Sequence, residues 1–302
     1  MGHEEAIAIL FVAVAIGGPL TFGLAGLFGR GAAAAPPRRW PWDWQVSLRS
    51  SLLYALTFNI VFFIQELFLV VPKALAPGIH PVLYHNNHAW EGDHPLASLF
   101  QGTGAVATLL TGLLFAVLAR AGAGQSSNTR LFIVWMAYHG LFMALTQVVI
   151  GAILPANDVG MAMDYLQMSP AAKAAAALVA LVAMIAAGLA LTRPLLALAD
   201  DAGRIAAPGA RSGFMLRIAT LPALAAILLI VPFRMPREAI EVVLPPLIVT
   251  VAGIGWIQAN AWRTAGIAAG ARSLAGSLVG PLVSLMILLL VFQFVLRPGI
   301  AF

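Results

Sequence analysis

Eight stretches of this chain are each long and apolar enough to cross a bilayer, at residues 7–28, 51–71, 96–118, 131–154, 171–191, 214–233, 239–259 and 274–296. A hydrocarbon core about 30 Å thick needs about 20 residues of apolar helix. Lipid offers no hydrogen-bond partners, so a spanning backbone must satisfy itself as helix or closed barrel. Barrel strands are short and alternate in polarity, whereas these runs are long and continuous. The expected fold is therefore all-α, a polytopic membrane bundle of about eight helices that forms one domain over 1–302. With 61% of residues hydrophobic and 10% charged, little material is left for a soluble domain.

Orientation follows from the basic residues. The first run follows Glu4 and Glu5 rather than a basic segment, so it reads as a retained span and not as a cleaved signal. With the N-terminus outside, Arg30, Arg38, Arg39, Arg49, Arg120, Arg130, Arg193, Arg204, Arg211, Arg217, Arg263 and Arg272 fall inside. Lys73, Lys173, Arg234, Arg237 and Arg297 fall outside, a bias of 12 to 5. The net charge of +5 is thus read as topology, and no nucleic-acid partner is expected. The expected location is the bacterial inner membrane. Trp40, Trp42 and Trp44, in a Pro- and Arg-rich linker, read as headgroup anchors.

Chemistry concentrates between the second and third runs. The stretch IHPVLYHNNHAWEGDHP (79–95) holds four of the six histidines. His85 and His88, three apart, can meet one ion from a single turn, with His80, Glu91, Asp93 and His94 close by in the chain. There is no cysteine, so a metal here takes nitrogen, oxygen or thioether ligands. That donor set suits zinc first and copper second. The loop LPANDVGMAMDYLQMSP emerges on the same side and adds Asp158 as a seventh candidate ligand, with Asp164 and three methionines beside it. The competing readings are a solvated loop, a helix cap at Asn157 and Asp158, and methionines packed against a neighbour.

The second to fourth runs carry polar groups a lipid-facing helix avoids. At about 1.5 Å per residue, Gln65, Glu66, Gln101 and Gln147 lie roughly 8–10 Å deep, and Asn59, Thr108 and His139 roughly 18–22 Å deep. Ionisable groups at such depth are expected to face a bundle interior or wet cleft. The expectation is a polar cleft between these three spans, within a functional core of about 51–170. Glu66 is the candidate catalytic base. His139 is either a cofactor ligand, haem being the case considered, or a structural imidazole bonded across helices. Gly102, Gly104 and Gly112 are expected to let helices approach closely.

The order of features in 59–166 resembles the site-2-protease-type (M50) intramembrane metalloproteases. FIQELFLV stands where those proteins carry HExxH, LFQGTGAVATLLTG where they carry a small-residue span, and NDVG where they carry a distal aspartate. The resemblance implies that Glu66 is the catalytic glutamate and Asp158 the distal aspartate. Gln65 and Leu69 replace the two histidines, so the usual zinc site would need ligands from the histidine loop.

Together these features point to a metal-dependent hydrolase acting on a lipid-embedded or membrane-anchored substrate. Two other readings use the same residues: a proton or metal transporter lined by Glu66 and His139, and an accessory subunit that docks partner subunits through the loop.

Overall fold

The computed structural model describes residues 2–28, 41–267 and 274–302. Arg30, Arg38, Arg39, Trp40 and Arg272 lie outside the described residues. Among the described residues, eight helices are long and apolar enough to cross a membrane. They are span 1 (His3–Gly26), span 2 (Trp44–Ala74), span 3 (Ala97–Arg120), span 4 (Ser127–Ile153), span 5 (Pro170–Leu196), span 6 (Pro208–Arg234), span 7 (Ala239–Asn260) and span 8 (Val279–Leu296). Local sequence starts several of them. Asp43 accepts from the amides of Gln45 and Val46 ahead of span 2, and Ser126 accepts from Thr129 ahead of span 4. Ser169 does the same for Ala172, with Pro170 opening span 5.

The spans are not equivalent. In span 4, 78% of the most apolar window is buried, and in span 2, 61%, against 17%, 28% and 22% for spans 1, 3 and 8. Spans 2 and 4 are therefore the axis, and the others wrap them with apolar faces turned outward. An aromatic layer crosses the middle of that axis. The Tyr138 hydroxyl donates to the Val249 carbonyl at 2.8 Å, and the Tyr54 hydroxyl meets Thr250 Oγ1 at 2.8 Å, tying both spans to span 7.

Spans 3 and 4 pack through glycine. A Cβ on Gly112 would overlap the backbone of Gly140 and Leu141, and one on Gly140 would overlap Gly112. Of the glycines expected to permit close approach, Gly112 meets span 4 and Gly104 meets Gln65 and Leu69 of span 2. Gly112→Val should lower the thermal midpoint of the detergent-purified protein, costing about 1–3 kcal/mol as overpacking usually does. An unchanged midpoint would mean that spans 3 and 4 separate without penalty.

The histidine stretch is a β-hairpin. Strand β1 (His80–Leu83) pairs antiparallel with β2 (His88–Glu91), joining Leu83 to His88 and His80 to Glu91. The chain's last strand, β3 (Ile300–Ala301), pairs antiparallel with the other edge of β1, giving the order β2-β1-β3. Gly92, just after β2 at the open end of the hairpin, sits at φ +94°, where a Cβ would run into the carbonyl of Gly78. The turn is pinned down as well, because Asn86 Nδ2 donates to the Arg234 carbonyl at 2.6 Å, between spans 6 and 7. The bundle is all-α as expected. The added sheet follows from alternation of PVLY and HAWE about an Asn-Asn turn.

At the opposite end, the rings of Trp42 and Trp44 stack at 4.4 Å and Arg217 lies 5.3 Å from the Trp42 ring centre.

Candidate functional site

The hairpin sets one side chain into the end of the bundle. Strand β2 directs His88 and Trp90, two apart, to one face. Span 2 presents Glu66 and Lys73, seven residues or about two turns apart, on one face below it. Glu66 Oε2 lies 2.9 Å from His88 Nδ1, and the two residues are 5% and 9% exposed. His88 Nε2 lies 3.0 Å from Gln101 Oε1 at the start of span 3. That same oxygen accepts from Lys73 Nζ at 2.9 Å, and Lys73 also donates to the Leu69 carbonyl at 3.0 Å.

Donor counting assigns the protons. Lys73 as an ammonium only donates, which turns the Gln101 oxygen toward it. His88 therefore faces acceptors with both ring nitrogens, the Glu66 carboxylate and the Gln101 oxygen. Trp90 covers both side chains: the Lys73 ammonium lies 4.4 Å from its ring centre, and the His88 ring stacks on it at 5.8 Å and 11°. Of the two Glu66 carboxylate oxygens, only Oε2 is hydrogen-bonded among the described residues.

Glu66 lines a cavity of about 320 Å³ between spans 2, 4 and 7. Its upper wall is polar, with Gln65, Glu66, Gln147, Asn157 and Asp158, and Gln147 Nε2 donates to Gln65 Oε1 at 2.7 Å. Its floor is apolar, with Phe58, Met143 and Val249. The expected cleft between spans 2, 3 and 4 is thus corrected to one between spans 2, 4 and 7. Span 3 is sealed against span 2 by Gly104, and Thr108 is spent on its own helix, donating to the Ala105 carbonyl at 3.0 Å. Leu244 and Pro245 of span 7 supply the missing wall.

Asp158, first residue of the short helix Asp158–Tyr165, reaches the cavity beside Glu66. Burial, then the negative charge of Glu66, raises its carboxyl from the ordinary 3.8 to about 6, while His88 and Lys73 pull the other way. The folded chain thus holds this proton more tightly than the unfolded chain. The resulting stability is complete below about pH 3.8 and lost as pH rises through about 6. Asp158→Asn should therefore match wild type in thermal midpoint near pH 4 and exceed it at pH 8, by no more than about 3 kcal/mol. A midpoint difference independent of pH would contradict this assignment.

The seven expected metal ligands do not converge. His80, Glu91 and Asp93 are exposed along the hairpin. His94 Nδ1 accepts from the Leu96 amide at 3.2 Å, and its ring stacks on Phe100. His85, whose pKa burial pushes down, has its Nε2 3.0 Å from the Met235 carbonyl, away from His88. Only His88 and, across the cavity, Asp158 stand with Glu66. Among the described residues no three His, Asp or Glu side chains gather as a metal group. The physical reason is the hairpin, which commits His85 to the turn and His88 to a strand face. As placed, the residues do not fit a three- or four-ligand zinc centre. Nor do the methionines offer a copper site, since Met163 is buried against Ala105 and Val159 with Met168 beside it.

His139 is corrected from cofactor ligand to packed core. Its Nδ1 lies 3.0 Å from Thr57 Oγ1, and the ring is held edge-on by Tyr54, Phe58 and Tyr138 at 4.3, 5.5 and 5.3 Å. It is fully buried and does not line the cavity. Sequence reasoning also missed Lys73, counted only as an outside charge. Its spacing of seven from Glu66 was the available signal.

No protein-family model, curated protein or solved structure matches the chain.

Proposed function

We propose that the protein is an integral membrane hydrolase that takes the apolar part of a membrane-embedded substrate into the cavity and cleaves it at the Glu66–His88 pair. The observation that carries this reading is the buried hydrogen bond between those residues at the polar end of a cavity with an apolar floor. Glu66 takes a proton from water as the water attacks the substrate carbonyl, then passes that proton to the leaving group. His88 donates to Glu66 and fixes the carboxylate in place, while Lys73 and Gln101 hold His88. The resemblance to site-2 proteases supports Glu66 as base, and Asp158, its other retained position, lines the same cavity. Gln65 and Leu69 stand where that family has zinc ligands, so the step is written without a metal. On the charge bias, the hairpin and active end face the outside of a bacterial inner membrane.

The alternative of a proton or ion pathway finds less support. Polar lining stops at Thr146, and below Phe58 the aromatic layer of Tyr54, Tyr138 and His139 is fully buried. Eight residues from Glu66 to Phe58 give a pocket about 12 Å deep, with a floor rather than a second mouth.

The test is turnover of acyl esters and amides of graded chain length by the protein in nanodiscs. Hydrolysis should favour chains that fill the cavity, and Phe58→Trp, which raises the floor, should shift the preference to shorter ones. No turnover above the Glu66→Gln background anywhere in the panel would sink the hydrolase reading.

A further inference from the structure

Arg234 ends span 6 against Phe62, a wall residue of this cavity, and the pair chemistry does not use it. It is 5% exposed. Its Nε and Nη2 donate to the Glu241 carbonyl at 3.3 and 3.0 Å, whereas Nη1 is buried with no hydrogen-bond partner. Its guanidinium carbon lies 4.5 Å from the ring centre of Phe62, which lines the cavity. Phe62 and Glu66 are four apart, so Arg234 rests on the same face of span 2 as the catalytic carboxylate.

The two carboxylates whose charges reach Arg234 are already paired elsewhere. Glu66 is bonded to His88, and the Glu241 carboxylate pairs with Arg237 at 2.9 Å. Lys73 is solvated by Gln101, the Leu69 carbonyl and Trp90. Among the described residues Arg234 has no carboxylate within ion-pair distance. A buried guanidinium with an unpartnered Nη1 is costly, and an acidic group arriving with a ligand removes that cost. Arginine is suited to this, because its fork binds carboxylate or phosphate oxygens directly.

We infer that the cavity binds a single-chain amphiphile with an acidic head, its carboxylate or phosphate meeting Arg234 and its hydrocarbon chain lying toward Phe58, Met143 and Val249. The inference rests on the cavity of the hydrolase reading and names the substrate or product class it would take, but it does not depend on the chemistry at Glu66.

Binding is therefore measured in the Glu66→Gln protein, where turnover is absent, in zwitterionic nanodiscs at pH 8 by titration calorimetry. The probes are decanoate, decyl phosphate, decanol and inorganic phosphate. Decanoate and decyl phosphate should bind at least about 10-fold more tightly than decanol. Arg234→Gln should erase that preference and leave decanol binding unchanged, while Arg237→Gln keeps it. Equal binding of decanoate and decanol would overturn the inference even if Arg234→Gln fails to fold. Inorganic phosphate competing as well as decyl phosphate would also overturn it, because the site would then take free anions. Failure here with intact acyl hydrolysis removes the acidic head and leaves the hydrolase reading standing.

Discussion

Glu66→Gln is expected to lower acyl hydrolysis by about 10²- to 10⁴-fold, the usual contribution of a positioned general base. The amide keeps the shape of the side chain and can still accept from His88 Nδ1 through its oxygen, so the packing between β2 and span 2 survives. What disappears is the ability to take a proton from water. The loss should fall on kcat rather than on KM, since the apolar floor at Phe58, Met143 and Val249 is untouched. His88→Gln replaces the rigid ring donor that fixes Glu66 with a flexible amide but leaves the base, so its loss should be smaller. Steady-state kinetics on both variants, with thermal midpoints as a folding control, separate these cases. A Glu66→Gln protein as active as wild type would remove Glu66 from the mechanism, whatever the substrate.

The order of these two losses also discriminates roles within the pair. If His88→Gln proved more damaging than Glu66→Gln, the imidazole would be the base and Glu66 its orienting partner. The donor count argues for the opposite order, because Gln101 and Lys73 fill the second nitrogen of His88 with an acceptor.

The bundle was legible in the sequence because lipid leaves a spanning backbone so few options. The depth of Gln65 and Gln147 was legible too, from rise per residue alone, and they do bond to each other. The expected metal ligands do not gather among the described residues, because proximity in sequence is not proximity in space. Pairing Leu83 with His88 sends neighbouring histidines to different destinations, and only an extended backbone does that. The alternating residues around Asn86 and Asn87 carried that information, but four histidines in one stretch drew the reading toward ligands. Span 7 as the cavity wall was not legible. Leu244 and Pro245 have nothing in their chemistry that marks them, and the packing of spans distant in sequence is set by the whole bundle.

Arg49→Met is expected to be the most destabilising single change at the other end of the molecule, costing roughly 3–5 kcal/mol. Arg49 is 1% exposed. Its Nη1 donates to Ser127 Oγ at 2.9 Å and to Asn128 Oδ1 at 3.1 Å, and its Nη2 donates to the Leu274 carbonyl. One guanidinium thus joins span 2, the first turn of span 4 and the segment that leads into span 8. Gly276 lies against it so closely that a Cβ there would overlap Nη1. Ser127 and Asn128 make further bonds to the carbonyls of Ala275 and Ser277 at 3.1 and 2.8 Å. Methionine fills much of the same volume but donates nothing, so all four bonds from a charged group, including that of Nε to the Gln45 carbonyl, are lost together. Arg49→Lys keeps the charge without the fork and should recover only part of the stability. At about 2.1 cal/mol/K of unfolding entropy per residue, a chain of 302 residues shifts by about 1.6 °C per kcal/mol, so the methionine variant should melt about 5–8 °C lower in detergent. Its span 8 should also detach first, so limited proteolysis should cut near 274–278 before the bundle unfolds. An unchanged midpoint would mean that span 8 is held by lipid-side packing alone, and the conserved volume of methionine, rather than the guanidinium, would then be what the site requires.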